Sequence, residues 1–318
     1  ALGTYPVTRG IPALREAIAG FVSRRFGLSK VDPDTQVLPV NGTREALFAF
    51  AQVVLDPGEP SITLMPNPFY QIYEGAAILG GSTPIFTPCL AENRFSPDFS
   101  AIDADTWRKV ALVYLCTPGN PTGRVMSIDE MTHLIELSDQ YNFVIASDEC
   151  YSEIYFDLAP VSILSACEAM GRLDYHNCIA FNSLSKRSSL PGLRSGYVAG
   201  DAGLIESFLL YRTYHGSAMP LHNQLLSASA WSDEKHVADN RALYKAKFEA
   251  VLPVLSNHFD VGWPDGGFYL WPRVDHLFDG PTPDEDFTVA LFREQAVKVV
   301  PGSYLSRDQQ GNPGLGRV

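Results

Sequence analysis

Residues 110–124 read VALVYLCTPGNPTGR. The first six are apolar without a break. A strand with one wet face alternates, whereas a strand buried on both faces reads as a continuous apolar run. The loop that follows is built from Gly, Pro and Asn, the residues of turns. Residues 128–141, IDEMTHLIELSDQY, read as a helix, and 142–146, NFVIA, as a second buried strand. A strand, a helix and another buried strand make the repeating unit of a parallel sheet covered on both faces.

The unit recurs on either side. In 11–27, Ile11, Leu14, Ile18, Phe21 and Val22 fall at helical spacing, with Pro12 suited to a first helical position and Gly27 to a stop. DTQVLPV (34–40) reads as a strand leading into the helix REALFAFAQVVL (44–55), and SITLM (61–65) as another strand. CIAFNS (178–183) and SGYVAGD (195–201) add two more. The expected fold class is α/β: a mostly parallel sheet covered by helices over residues 1–238. A smaller α+β domain is expected over 239–318, with a long helix from Asn240 and further segments GGFYLWPRV, FTVALFREQ and VKVVPGSY.

The chain has 318 residues, 46% of them hydrophobic, and a net charge of −12. That balance argues against nucleic acid or an anionic membrane as the main partner, while leaving room for a local basic pocket. No apolar run reaches the roughly 18 residues of a membrane span. The five cysteines form no CxxC pair, and the seven histidines show no metal spacing. No metal is expected, and free thiols in a reducing cytoplasm are.

Ligands of open α/β sheets bind beyond the carboxyl ends of the strands. The residues found there share a pattern. Gly42 and Thr43 open a helix and offer free N–H groups to a phosphate. Ser183 adds a hydroxyl and Arg194 a planar, always-charged fork. Asp148 can pair with a protonated ring nitrogen, and Tyr151 and Asn120 with a phenolic oxygen. Tyr70 can stack on a flat ring, and Lys186 can form a Schiff base with an aldehyde. Phosphate, pyridine, phenol and aldehyde together describe pyridoxal 5′-phosphate. Singly, each residue has an ordinary explanation: a solvated lysine, an aspartate N-cap, an Asn-Pro turn, a rim tyrosine. The joint occurrence at successive strand ends carries the reading.

Seven segments, in order, carry a family resemblance: YPVTRGIPALREAI (5–18), NGTREAL (41–47), NPFY (67–70), TPGNPTGR (117–124), SDECYSEIYF (147–156), SLSKRSSLPGLRSGYVAG (183–200) and GGFYLW (266–271). With them the chain resembles the fold-type I, class I/II pyridoxal-phosphate aminotransferases over nearly its whole length. The resemblance implies Lys186 as Schiff-base lysine and proton shuttle, Asp148 as partner of the pyridine nitrogen, and Tyr151 and Asn120 as partners of the phenolic oxygen. Gly42, Thr43, Ser183 and Arg194 match the phosphate cup, and Tyr70 the ring-stacking aromatic. Tyr5 matches a tyrosine that reaches the other subunit's cofactor, which implies a homodimer.

Within the family, NPFYQIYEGAA, ASDECYSEIYFD and LLYRTYHG resemble the branch acting on N-succinyl-L,L-diaminopimelate in lysine biosynthesis, with 2-oxoglutarate and glutamate as the acceptor and donor pair. Arg212 is expected as a second anion clamp, with a surface arginine at a helix end as the even alternative. The family's arginine for the substrate α-carboxylate is expected just past Val318, with Arg317 as the other candidate. An N-terminal segment that helps close over the substrate is likewise expected to be absent from this polypeptide, which then binds cofactor but turns over poorly. Phe268, Tyr269 and Trp271 read as core of the smaller domain, while the resemblance implies that their strand lies near the substrate. Another class I aminotransferase (aspartate, acetylornithine or aromatic), a lyase or synthase on the same scaffold, and the cofactor-binding effector domain of a regulator are the competing functions.

Overall fold

The computed structural model describes residues 3–278, 280–308, 314 and 316–318. The chain opens with α1 (Pro12–Phe26), β1 (Val37–Val40), α2 (Thr43–Val54), β2 (Ile62–Asn67), α3 (Gln71–Leu79) and β3 (Thr83–Pro88). It continues with α4 (Ala104–Trp107), β4 (Val110–Cys116), α5 (Ile128–Tyr141), β5 (Val144–Asp148), α6 (Ile163–Ala169), β6 (Cys178–Ser183), α7 (Leu184–Arg187) and β7 (Gly196–Gly200). Four helices follow: α8 (Ala202–His215), α9 (Leu221–Ser232), α10 (Lys235–Leu255) and α11 (Pro283–Gln295).

Local chemistry sets the helix ends. Pro12 starts α1, and Gly27 stops it in the left-handed region at φ 69°. Ser127 and Glu130 form a reciprocal capping box at the start of α5, and Asn142 ends it at φ 59°.

The strands form one seven-stranded sheet in the order β1-β7-β6-β5-β4-β2-β3. Only β7 runs against the rest, pairing antiparallel with both β1 and β6. The sheet is buried on both sides. Val113, Leu115, Ile145 and Ala180 point toward the core formed with α1, α5, α6 and α9. Leu112, Tyr114, Ala146 and Phe181 point toward the core formed with α2, α3 and α8. This explains the unbroken apolar run of 110–115: both alternating sets of side chains are inside. β3 is an edge strand that contains Pro84 and Pro88, residues that edge strands tolerate.

The second region departs from expectation. Among the described residues, no strand follows β7. The segment around GGFYLW contributes only two isolated bridges, Tyr155 to Gly266 and Arg273 to Arg317, and VKVV contributes none. These stretches have strand-like composition but no ladder partner. The 238/239 boundary falls inside α10, so the chain passes between the regions on a continuous helix. The first turns of that helix are tied down. Asn240 Nδ2 donates to the Lys186 carbonyl at 3.3 Å, and Arg241 Nε donates to the Glu153 carbonyl at 2.9 Å. No helix among the described residues is long and apolar enough to cross a membrane.

Candidate active site

The carboxyl ends of β4, β5 and β6 open onto a cavity of about 520 Å³. Thr43, Tyr70, Asn120, Asp148, Tyr151, Ser183, Lys186 and Arg194 all line it, so one site gathers eight of the residues singled out from the sequence. Arg44, Cys150 and Ser185 line it too and were missed, and so does Tyr269, whose segment the resemblance places near the substrate.

Asp148, the last residue of β5, is 4% exposed. Tyr73 Oη donates to its Oδ2 at 2.8 Å, and the Cys150 N–H donates to Oδ1 at 3.2 Å. Among the described residues it makes no ion pair. Burial pushes its pKa up, partly offset by the hydrogen bonds from Cys150 and Tyr73. A buried carboxylate without a cation is costly unless something else supplies the charge. Tyr73 follows Tyr70 by three positions on the first turn of α3, a spacing that places both on one helix face.

Lys186 sits in the single turn of α7 that Ser183 caps. Its ammonium has no ion pair or hydrogen bond among the described residues and instead faces the rings of Phe268 at 4.8 Å and Tyr151 at 5.8 Å. Burial lowers its pKa, Arg44 lowers it further, and Cys150 works in the opposite direction. The net lowering favours a neutral, nucleophilic amine. Tyr151 and Tyr269 share a hydroxyl hydrogen bond of 3.0 Å at the cavity wall, and burial raises the pKa of both. Tyr269 therefore belongs to the site as well as to the packing of its own region.

At the other end, Ser183 Oγ donates to the Ser195 carbonyl at 3.1 Å, and Ser185 Oγ stands 2.9 Å from it. Gly42 has φ 89°, and a Cβ there would stand 2.5 Å from Arg194 Nη2. The glycine is needed twice, for its backbone conformation and for the space the guanidinium occupies. Arg194 donates to the carbonyls of Pro191 and Asn41, which fixes the fork beside the start of α2.

Three residues lie elsewhere. Arg212 is fully buried; it pairs with Glu45, donates to the Ser217 carbonyl at 2.6 Å and faces the Phe208 ring. It is neither a clamp open to a ligand nor a surface residue, because its charge is already met inside the protein. Arg317 donates to the Trp271 carbonyl at 2.6 Å and lines an adjoining cavity of about 340 Å³, which shares Tyr269 with the first. It does not reach the Lys186 cavity. Tyr5 is 100% exposed and lies outside its own chain's cavity.

The donor set fits pyridoxal phosphate. One buried carboxylate lacks a cation, one half-buried amine lacks an anion, and a helix start with a serine pair and an arginine lies at the opposite end. Asp148 would hold the ring nitrogen, Tyr151 and Asn120 the phenolic oxygen, Lys186 the aldehyde carbon, and Gly42, Thr43, Ser183 and Arg194 the phosphate. The cofactor's part is to take up the electron pair left at the substrate's reacting carbon. The chain's part would be to hold it, with Asp148 keeping its nitrogen charged and Lys186 moving a proton.

Comparison with known proteins agrees with this geometry. The family described as "Aminotransferase class I and II" matches residues 1–318. The LL-diaminopimelate aminotransferase of Dehalococcoides mccartyi is 33% identical over 310 residues, covering 96% of this chain and 77% of the relative. A crystal structure of an aminotransferase from Neisseria meningitidis Z2491 is 49% identical with a TM-score of 0.91, covering 99% of this chain and 79% of that one. Aminotransferase AspB from Helicobacter pylori 26695 is 33% identical with a TM-score of 0.88, covering 100% and 80%. With Lys186, Asp148, Ser183 and Arg194 gathered at the carboxyl ends of the central strands, the chain belongs to the class I and II aminotransferases, pyridoxal-phosphate-dependent transaminases.

Proposed function

We propose that this transaminase moves an amino group between a diaminopimelate-type amino diacid and 2-oxoglutarate, as a step of lysine biosynthesis in the cytoplasm. N-succinyl-L,L-diaminopimelate is the first substrate of choice. The observation that carries the reading is the charge of the cavity. Its lining holds Arg44, Lys186 and Arg194 against Asp148 alone, in a chain whose net charge is −12. Such a pocket selects anionic partners. Free L,L-diaminopimelate is the second reading, favoured by the name of the Dehalococcoides relative, an LL-diaminopimelate aminotransferase.

The assembly proposed with it is a homodimer, in which the fully exposed Tyr5 of one subunit reaches the cofactor phosphate of the other. The roles given above to Lys186, Asp148, Tyr151, Asn120 and the phosphate cup are part of the same proposal.

The test is a two-substrate assay with 2-oxoglutarate as acceptor. It compares N-succinyl-L,L-diaminopimelate, L,L-diaminopimelate, N-acetylornithine, aspartate and an aromatic amino acid. The expected outcome is preference for one of the two diaminopimelates. Preference for aspartate or an aromatic amino acid overturns the substrate reading, and product release without an acceptor overturns the transfer.

A further inference from the structure

Lys186 is carried by α7, a single turn of helix. So short a helix leaves its last carbonyls without partners of its own. A side chain from another helix meets them. Asn240 of α10 donates from Nδ2 to the Lys186 carbonyl at 3.3 Å and to the Arg187 carbonyl at 3.5 Å. Ser189 Oγ donates to Asn240 Oδ1 at 2.8 Å, which turns the amide so that its NH₂ faces α7. Ser189 itself lies just past the turn, in the left-handed region at φ 51°.

The capping is reciprocal. Arg187 reaches from α7 to the end of α9, where it donates to the carbonyls of Ala230 at 2.8 Å and Asp233 at 3.3 Å and pairs with Glu234. It is fully buried, with its guanidinium over the rings of Phe21 and Trp231. Arg187 therefore anchors the turn as a body, while Asn240 fixes the carbonyl of Lys186 itself. The Lys186 ammonium meets only ring faces and makes no hydrogen bond among the described residues. A flexible side chain held by nothing at its tip takes its direction from its backbone.

We propose that Asn240 is a positioning residue: through the Lys186 carbonyl it aims the amine at the point where the cofactor's aldehyde is captured. The proposal rests on the reading of Lys186 as the cofactor lysine and adds the device that aims it.

The test separates capture of the aldehyde from occupancy of the cavity. Cofactor is removed from the loaded chain, and the folded chain is then offered pyridoxal phosphate or pyridoxine phosphate. The second has the same ring and phosphate but an alcohol in place of the aldehyde, so it binds without reacting. Asn240→Asp keeps the shape and an acceptor for Ser189 but cannot donate to the Lys186 carbonyl. It should slow capture of pyridoxal phosphate, followed by visible absorption, about tenfold. Asn240→Ala, which removes the donor without adding a charge, should do the same. Affinity for pyridoxine phosphate should stay within about twofold of wild type in both. Ser189→Ala, which frees the amide to rotate, should slow capture about threefold.

An unchanged capture rate in Asn240→Ala or in Ser189→Ala overturns the proposal. Equal loss of capture and of pyridoxine phosphate affinity overturns it too, by placing Asn240 in the general build of the cavity. The underlying reading fails differently. Capture that persists in Lys186→Ala removes the assignment of the lysine, and the role of Asn240 with it. Capture lost in Lys186→Ala but untouched in both Asn240 variants removes only the role of Asn240.

Discussion

Asp148 and Glu149 are neighbours in sequence, both buried at the end of β5, and they face opposite sides of the sheet. Asp148 turns toward α3, where Tyr73 and the Cys150 N–H donate to it and no cation reaches it. Glu149 turns toward α6, where Ser147, Ser162 and the Ile163 N–H all donate to its Oε1. The contrast extends beyond the pair. On the α6 side Glu153 pairs with Arg25 and Arg241, and Arg187 pairs with Glu234 and the carbonyl of Ala230. On the cavity side Arg44, Lys186 and Asp148 have no counterion among the described residues. Buried charges met inside the protein hold the fold, and charges left open mark where a ligand completes the balance.

Four substitutions probe that division. Lys186→Ala has the largest expected effect. Removing the amine takes away both covalent anchor and proton carrier, so single-turnover transfer should fall on the order of 10⁴-fold while the chain stays folded. Near-normal turnover would break the assignment of the open side to chemistry.

Glu153→Gln attacks the closed side. It leaves Arg25 and Arg241 with an uncharged partner in a site only 2% exposed, and stability in urea should drop by about 3 kcal/mol. Cofactor content should be retained in the folded fraction. A loss of activity with no loss of stability would move Glu153 to the other side of the comparison.

Glu149→Gln tests the closed side by pH. Burial raises the Glu149 carboxyl from its ordinary 4.5 to about 7, against the pull of its three hydrogen bonds. The folded value lies above the unfolded one, so the folded chain retains the proton between these values. Stability therefore falls as pH rises through this window, by up to roughly 3 kcal/mol at pH 8. The glutamine variant should lose that dependence, and urea unfolding at pH 5 and pH 8 checks it. An unchanged pH dependence would show that Glu149 is not its source.

Tyr73→Phe has the smallest expected effect. It removes one of the two donors to Asp148 and should slow transfer about tenfold, with little change in stability. An effect on stability alone would make the Tyr73 bond part of the fold rather than of the site.

Much of the sheet was legible because its central strands are buried on both faces and therefore spell continuous apolar runs. β3 was not, since an edge strand with prolines at both ends has neither the run nor a clear alternation. The stretches FYLW and VKVV show the opposite failure: strand-like composition does not make a strand where no partner is paired alongside. The strand-end residues of the site were legible because the fold class says where ligands bind. Arg44 was not, because on a helix pattern it looks like an ordinary exposed arginine. Arg212 was misread because its counterion, Glu45, lies 167 positions away. Charge pairing at that separation leaves no mark in the local sequence. Tyr73 carried a usable signal, its spacing of three from Tyr70.

α10 is a helix of 21 residues, with Pro253 in its last turn, fastened near its start to the carbonyls of Lys186 and Glu153. At 1.5 Å per residue about 22 Å of it lie beyond those fastened turns, so a tilt of roughly 5° about them sweeps the far tip through about 2 Å. Mechanically it is a lever with its fulcrum beside Lys186, so any displacement at the tip would arrive at Lys186 reduced to a small fraction of its size.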